Sequence, residues 1–195
     1  MQTPTHTLLS LAVLGKRGEP SRNIAVLAGS LIPDAFIYVA WLWLTFVQGE
    51  PQGRIWNEIY FDAPMQAVGA LFNSVPIYVA IAGLGFALKR HAIGQLALLF
   101  ALSALIHIAG DFPLHADDAH RHFWPVTDWR FFSPISYWDT AHHAGIFRLV
   151  EAALGIGLCT LLWWRFPSRL PRIFLGIFGL LYALMLAYGL VTLWP

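Results

Sequence analysis

The sequence predicts an all-α fold, a polytopic bundle of membrane helices. Hydrophobic residues make up 57% of the 195 positions and charged residues only 12%. Several apolar stretches also reach the length of about 20 residues that a helix needs to cross a bilayer. The net charge of +1 gives no indication of nucleic-acid binding. We therefore expect one membrane-embedded domain over residues 1–195, in contact with the lipid bilayer.

A shorter apolar segment precedes the predicted transmembrane helices. Thr3 and Pro4 suit the cap and first turn of a helix, and Gly15 suits its end. About twelve residues give a helix of about 18 Å, roughly half a bilayer. We predict a half-helix packed inside the bundle. About five transmembrane helices are expected to follow, over residues 23–48, 66–88, 92–111, 145–164 and 173–193.

Charged residues divide the loops into two sets. Eight basic residues fall in three loops at one end of the bundle, and this end is cytoplasmic by the positive-inside rule: Lys16, Arg17, Arg22, Lys89, Arg90, Arg165, Arg169 and Arg172. The long loop 112–144 then faces outward. It holds three of the nine tryptophans, so we interpret it as an amphipathic lid at the membrane surface. A plain aromatic belt at the headgroup level is the alternative.

Polar residues within the helices lie at one predicted depth. Counting about 1.5 Å per residue from the basic loops places His6, Asp34, His107, Arg148 and Glu151 roughly 15 to 26 Å away, in the outer half of the membrane. The inner half has almost no polar side chains. Ionisable groups at membrane depth are costly and usually mark a function. The pattern predicts a single polar site that opens outward.

The run from His107 to His122 indicates a metal centre within this site. His107 and Asp111 are four residues apart and share a helical face. Pro113 lets the chain leave the helix, so His115 can turn back toward the pair. Converging imidazoles and carboxylates are the ligands of hydrolytic metal ions. The alternative is a structural His–Asp pair, held by hydrogen bonds between helices.

The predicted depth adds His6 and Asp34 to the ligands. For Asp34 the alternative is a salt bridge to Arg148. The loop offers seven more candidates, most of which we expect to orient ligands or to be solvated: Asp117, Asp118, His120, His122, Asp139, His142 and His143. Of these we predict His142 as a further ligand.

The predicted catalytic residues are Asp34, Asp111, Arg148 and Glu151. Whichever of the two aspartates is not tightly bound to the metal would accept a proton. Arg148 would hold an anionic group such as phosphate, which its forked donors suit. Arg148 and Glu151 are three residues apart on one helical face, so an ion pair within the helix is the alternative.

Three short motifs support these assignments together: Thr3-Pro-Thr-His6, Gly29-Ser-Leu-Ile-Pro-Asp34 and His107-x3-Asp111-x-Pro-x-His115. In this order they resemble the LexA-regulated inner-membrane metal-dependent hydrolases, and the third is distantly similar to zinc-dependent phospholipase C. The resemblance covers most of the chain to about residue 150. It implies a bacterial inner-membrane protein whose metal ligands are His6, Asp34, His107, Asp111 and His115. Many relatives carry a histidine where this chain has Phe72-Asn73-Ser74, so the number of ions, one or two, stays open.

We therefore expect a zinc-type metallohydrolase, with Mn or Fe as alternative ions. The outward site and aromatic loop suit a lipid or another amphiphilic substrate, cleaved at a phosphoester or another bond. The main alternative is a non-catalytic scaffold or metal-binding protein with a structural site. A metal or ion transporter would need polar groups along the whole path, and haem or di-iron chemistry would need more suitably placed histidines. The sequence does not indicate the oligomeric state.

Overall fold

The computed structural model describes residues 1–193 and confirms the all-α bundle. Five of its helical segments are long and apolar enough to cross a membrane, and they coincide with the predicted spans to within a few residues. The α-helices are α1 (Thr3–Leu14), α2 (Pro20–Leu42), α3 (Gln52–Asn57), α4 (Ala63–Phe72), α5 (Val75–Ala87), α6 (Ala92–Asp111), α7 (Ala144–Arg165) and α8 (Arg169–Leu193). A π-helical turn, Trp43–Val47, extends α2, and 3-10 turns occur at Ile59–Phe61 and Thr140–His142.

The half-helix α1 lies at the centre and packs against α2, α6 and α7. Its apolar face is buried through Leu8, in a cluster that includes Leu158 and Leu162 of α7. At its carboxyl end, Arg165 donates to the carbonyl of Ala12 at 2.6 Å and Arg22 donates to that of Leu14 at 2.6 Å. These cations satisfy orphan carbonyls and face the negative end of the helix dipole.

The amino end of α1 is held by a carboxylate rather than by a capping side chain. Thr3 begins the helix, and the N-cap residue Gln2 makes no side-chain cap. Instead, Glu151 of α7 accepts from the backbone N–H of Gln2 at 2.6 Å and from the Thr5 hydroxyl at 2.7 Å. A negative charge suits this end of a helix. Glu151 thus anchors the segment that carries His6.

Helices α2 and α6 approach closely because Gly29 has no side chain. A Cβ atom built there would lie 2.1 Å from the carbonyl oxygen of Phe100 on α6. One turn away, the Ser103 hydroxyl donates to the Val26 carbonyl at 2.6 Å. Small residues of this kind let membrane helices pack backbone to backbone. The close contact holds α2, which carries Asp34, against α6, which carries Asp111.

The loop between α6 and α7 folds into the end of the bundle. The Val75 N–H at the start of α5 donates to the His122 carbonyl of the loop at 2.8 Å. Within the loop, the Ser133 N–H donates to the His115 carbonyl at 2.9 Å. Phe112 stacks on Phe131 with ring centroids 5.0 Å apart. The loop therefore forms a fixed wall of the site and is more than a surface belt of aromatic residues.

Candidate metal centre

Three helices bring four of the predicted ligands together. His6 comes from α1, Asp34 from α2, and His107 and Asp111 from α6. Both imidazoles are fully buried, and their rings stack with centroids 3.7 Å apart and planes 9° apart. This parallel stack points both Nε2 atoms toward the same carboxylate.

Asp111 is the centre of the cluster. Its Oδ1 lies 2.8 Å from His6 Nε2, and its Oδ2 lies 3.0 Å from His107 Nε2. The backbone nitrogen of Met1 lies 2.5 Å from the same Oδ1. Asp34 places its Oδ1 3.4 Å from His107 Nε2, while its other oxygen accepts from the Thr3 hydroxyl. Two imidazoles and two carboxylates therefore converge on one small volume.

The orientation of His107 fits a bound cation. Its Nδ1 lies 2.6 Å from the Ser30 carbonyl oxygen, which can only accept, so Nδ1 carries a proton. Its buried Nε2 is aligned for a hydrogen bond with no described residue, although oxygens of Asp111 and Asp34 lie at 3.0 and 3.4 Å. A lone pair facing two carboxylates requires a cation between them, either a proton or a metal ion.

The donor set also fits a metal ion chemically. One ligand atom each from His6, His107 and Asp111 lies within 4.8 Å of the others. Neutral imidazoles and carboxylates are ligands for Zn²⁺, and they suit Mn and Fe as well. The residues could thus hold an ion, and their chemistry leaves its identity open.

His115 approaches the cluster from the loop, as predicted. Its Nε2 lies 3.8 Å from Asp111 Oδ1, and its Nδ1 donates to Asp118 Oδ2 at 2.9 Å. Trp138 Nε1 donates to the same oxygen at 2.9 Å. Burial lowers the pKa of His115, but the two carboxylates outweigh burial and raise the pKa to about 9. A carboxylate on the far nitrogen of a histidine is typical of metal ligands.

His120 is a site residue that the sequence analysis did not separate from the other loop histidines. Its ring lies 4.7 Å from that of His115, measured between centroids. Burial, together with the charges of His115 and His122, lowers the pKa of His120 to about 3. Its side chain faces the cavity, and it makes no side-chain hydrogen bond within residues 1–193. Only its position within the run from His107 to His122 indicated it in the sequence.

His142 does not join the buried cluster. It donates to Asp139 at 2.8 Å, and this bond raises its pKa. Together with Asp117 it forms a second group of three, which is partly exposed and whose ligand atoms lie within 4.8 Å of one another. The structure therefore separates His142 from the other predicted ligands.

Arg148 and Glu151 also lie away from the converging ligands. Arg148 is exposed and donates to the Trp138 carbonyl at 2.8 Å, while Glu151 is fully buried against α1. Neither residue is part of the cavity wall described below. Within residues 1–193 they form no ion pair with each other, and Arg148 forms none with Asp34. The predicted catalytic residues that meet at the site are therefore Asp34 and Asp111.

A cavity of about 360 Å³ opens beside the cluster. Its lining includes the polar side chains of Asp34, Asp111, His115, Asp118 and His120. It also includes the aromatic side chains of Tyr38, Trp56, Tyr60, Phe61, Tyr137 and Trp138. Apolar pockets with a few convergent polar groups are the usual form of small-molecule sites.

The fold and site define a helical membrane protein with a buried His/Asp cluster that could hold a metal ion beside an open cavity. Comparison of the chain with family models, with curated proteins and with solved structures finds no match. Function is therefore argued from the site alone.

Proposed function

We propose that this protein is a membrane-embedded, metal-dependent hydrolase that acts on a lipid or another amphiphile. The position of Asp111 supports the proposal most directly. Its carboxylate contacts the buried imidazoles of His6 and His107 and also forms part of the cavity wall. An ion held there would be reachable from the cavity, as a hydrolytic ion with an open coordination position must be.

His6, His107 and Asp111 would hold the ion, with Asp34 and His115 as further ligands. When bound, the ion would supply Lewis acidity and lower the pKa of water toward about 7. Asp34 is partly exposed to the cavity and can accept a proton from water there. His120 also faces the cavity, with neither ring nitrogen hydrogen-bonded to another side chain, so its neutral imidazole can donate or accept a hydrogen bond at the substrate.

The aromatic side chains that line the cavity support an amphiphilic substrate. Tyr38 on α2 is 51% exposed and Phe61 is 44% exposed, and both line the cavity. Tyr38 lies on a bilayer-spanning helix, whose exposed surface faces lipid, so the cavity has access to the membrane beside Tyr38. A polar head group would lie near Asp111 while its apolar chain remained against the aromatic rings.

The proposal extends to location and family. Because basic residues dominate the loops at the other end of the bundle, we place the cavity on the outer side of a bacterial inner membrane. The three motifs support membership of the LexA-regulated inner-membrane hydrolases. A structural metal site in a non-catalytic protein is the second candidate, and the complete burial of His6 and His107 favours it.

The test combines metal content with turnover. Detergent-purified wild type is expected to contain one or two zinc, manganese or iron ions per chain by mass spectrometry. It should also cleave lipids in mixed phospholipid and acylglycerol vesicles in a chelator-sensitive way. His107→Ala is expected to lose both properties. His91→Ala, which changes an exposed histidine at the start of α6, should lose neither. Bound metal without any cleavage would favour the structural site, and no metal in wild type would refute the proposal.

A further inference from the structure

Over residues 1–193, the lining of the cavity contains three carboxylates but no lysine or arginine. The carboxylates are those of Asp34, Asp111 and Asp118. One arginine of the loop and one of α7 donate to backbone carbonyls. Arg130 donates to Ala119 at 3.2 Å and Arg148 donates to Trp138 at 2.8 Å.

This charge distribution opposes anionic substrates. Phosphate groups in proteins are commonly bound by the forked donors of arginine or by lysine. A divalent ion at the cluster, with His115 as one of its neutral imidazole ligands, would balance two of the three carboxylates, which leaves no excess positive charge for a phosphodiester or a phosphomonoester. In a partly buried site, repulsion between like charges is screened much less than in water.

Uncharged hydrogen-bond donors, in contrast, are well represented in the lining of the cavity. The phenol groups of Tyr60 and Tyr137, the amide of Asn57 and the imidazole of His120 all belong to the cavity wall. Groups of this kind can donate to a carbonyl oxygen without requiring a counter-charge. The aromatic rings beside them match an apolar chain.

We infer that the substrate carries an uncharged scissile group, a carboxylic ester or amide, joined to an apolar chain. The inference rests on the proposed hydrolase function and narrows its substrate class. In the reaction, the oxygen of water forms a bond to the carbonyl carbon and the C–O or C–N bond breaks. One proton of water moves to the leaving oxygen or nitrogen, so the products are an acid and an alcohol or amine.

The test uses three amphiphiles with the same twelve-carbon chain and different charges. Dodecanoylglycerol is a neutral ester, dodecyl phosphoglycerol is a monoanion and dodecyl phosphate is a dianion. Zinc-loaded protein in neutral detergent is incubated with each, products are measured by mass spectrometry, and His107→Ala protein corrects for contaminating esterases. We expect the ester to be cleaved at least about tenfold faster than either phosphoester.

The outcomes separate the inference from the function on which it rests. Faster cleavage of a phosphoester overturns the inference and leaves the hydrolase proposal standing. Cleavage of none of the three by metal-loaded protein overturns both.

A binding measurement tests the charge argument without turnover. Equilibrium dialysis compares dodecyl glyceryl ether, which is neutral and not cleavable, with dodecyl phosphate. Wild type should bind the ether more tightly. Asn57→Lys adds one positive charge at the exposed rim of the cavity and should strengthen phosphate binding about fivefold with little effect on the ether. Asn57→Gln is the uncharged control. Tighter binding of dodecyl phosphate by wild type would overturn the inference.

Discussion

Replacing Asp111 with asparagine keeps the shape of the side chain and removes one negative charge. Its two oxygens lie 2.8 and 3.0 Å from the Nε2 atoms of His6 and His107, so an ion bound by these groups lies within about 4 Å of the lost charge. Two unit charges at that separation interact by about 4 kcal/mol at an effective dielectric constant of about 20. A divalent ion is affected at least as strongly, so its affinity should fall at least about a thousandfold.

Zinc affinity is measured on detergent-purified protein by competition with a chromophoric chelator. Asp128→Asn is the matched control, because it removes the same charge from a loop side chain that is 76% exposed. That side chain pairs with Arg121 at the surface, where ion pairs contribute little, and loss of its charge should not change the zinc affinity. Equal zinc affinities for wild type and Asp111→Asn would show that the ion is not held by this carboxylate.

Three further predictions test the surroundings of the site, the third with a matched control variant. Asp118→Asn weakens the hydrogen bond that orients His115, so zinc affinity should fall about tenfold to a hundredfold; an unchanged affinity in the same competition assay would contradict this role of Asp118. Glu151→Ala removes the acceptor of the Gln2 backbone N–H at the α1 amino end, at about 1–3 kcal/mol, and should lower the thermal midpoint measured by circular dichroism; a midpoint equal to that of wild type would rule out the anchor. Gly29→Ala places a Cβ atom 2.1 Å from a carbonyl oxygen of α6 and should cost about 1–3 kcal/mol or more. Gly83→Ala meets nothing within 4 Å and should be neutral or stabilising by up to about 1 kcal/mol; equal midpoints for the two glycine variants would argue against the close helix contact.

The helices were predictable because membrane length and hydrophobicity constrain them directly. The span expected over residues 92–111 is α6, Ala92–Asp111, and Gly15 follows the last residue of α1 as expected. Backbone polar groups in a bilayer must be paired internally, so a long apolar segment has almost no alternative to a helix. The half-helix α1 was predictable because its apolar segment must also pair its backbone groups internally, while its twelve residues are too few to span a bilayer.

Part of the site was predictable from depth alone. Residues counted from the basic loops share a height in the membrane, and this placed His6 beside His107 although 101 positions separate them in the sequence. Depth, however, does not give the rotation of a helix about its axis. Glu151 lies at a similar height but turns toward the amino end of α1, and Arg148 turns toward a loop carbonyl.

The loop residues were the hardest to assign, because loops have no periodicity from which facing can be inferred. Asp118 and His120 reach the cavity, whereas His142 pairs with Asp139 outside the buried cluster. The difference arises from turns and from hydrogen bonds to distant helices, such as the one between Val75 and His122. None of these contacts is encoded in local spacing.

The shortness of α1 has a consequence for how the protein is made. A helix of twelve residues, about 18 Å long, cannot span the bilayer alone, and in lipid the unpaired backbone groups at its buried end would be costly. Its partners at those ends, Glu151 and Arg165, both belong to α7, which is synthesised more than 125 residues later. Although α1 is synthesised first, it can take its place only after α7 has been inserted. The bundle therefore completes its His/Asp cluster as one of the last steps of biogenesis, and any ion that this cluster binds must be acquired from the surroundings of the finished helices.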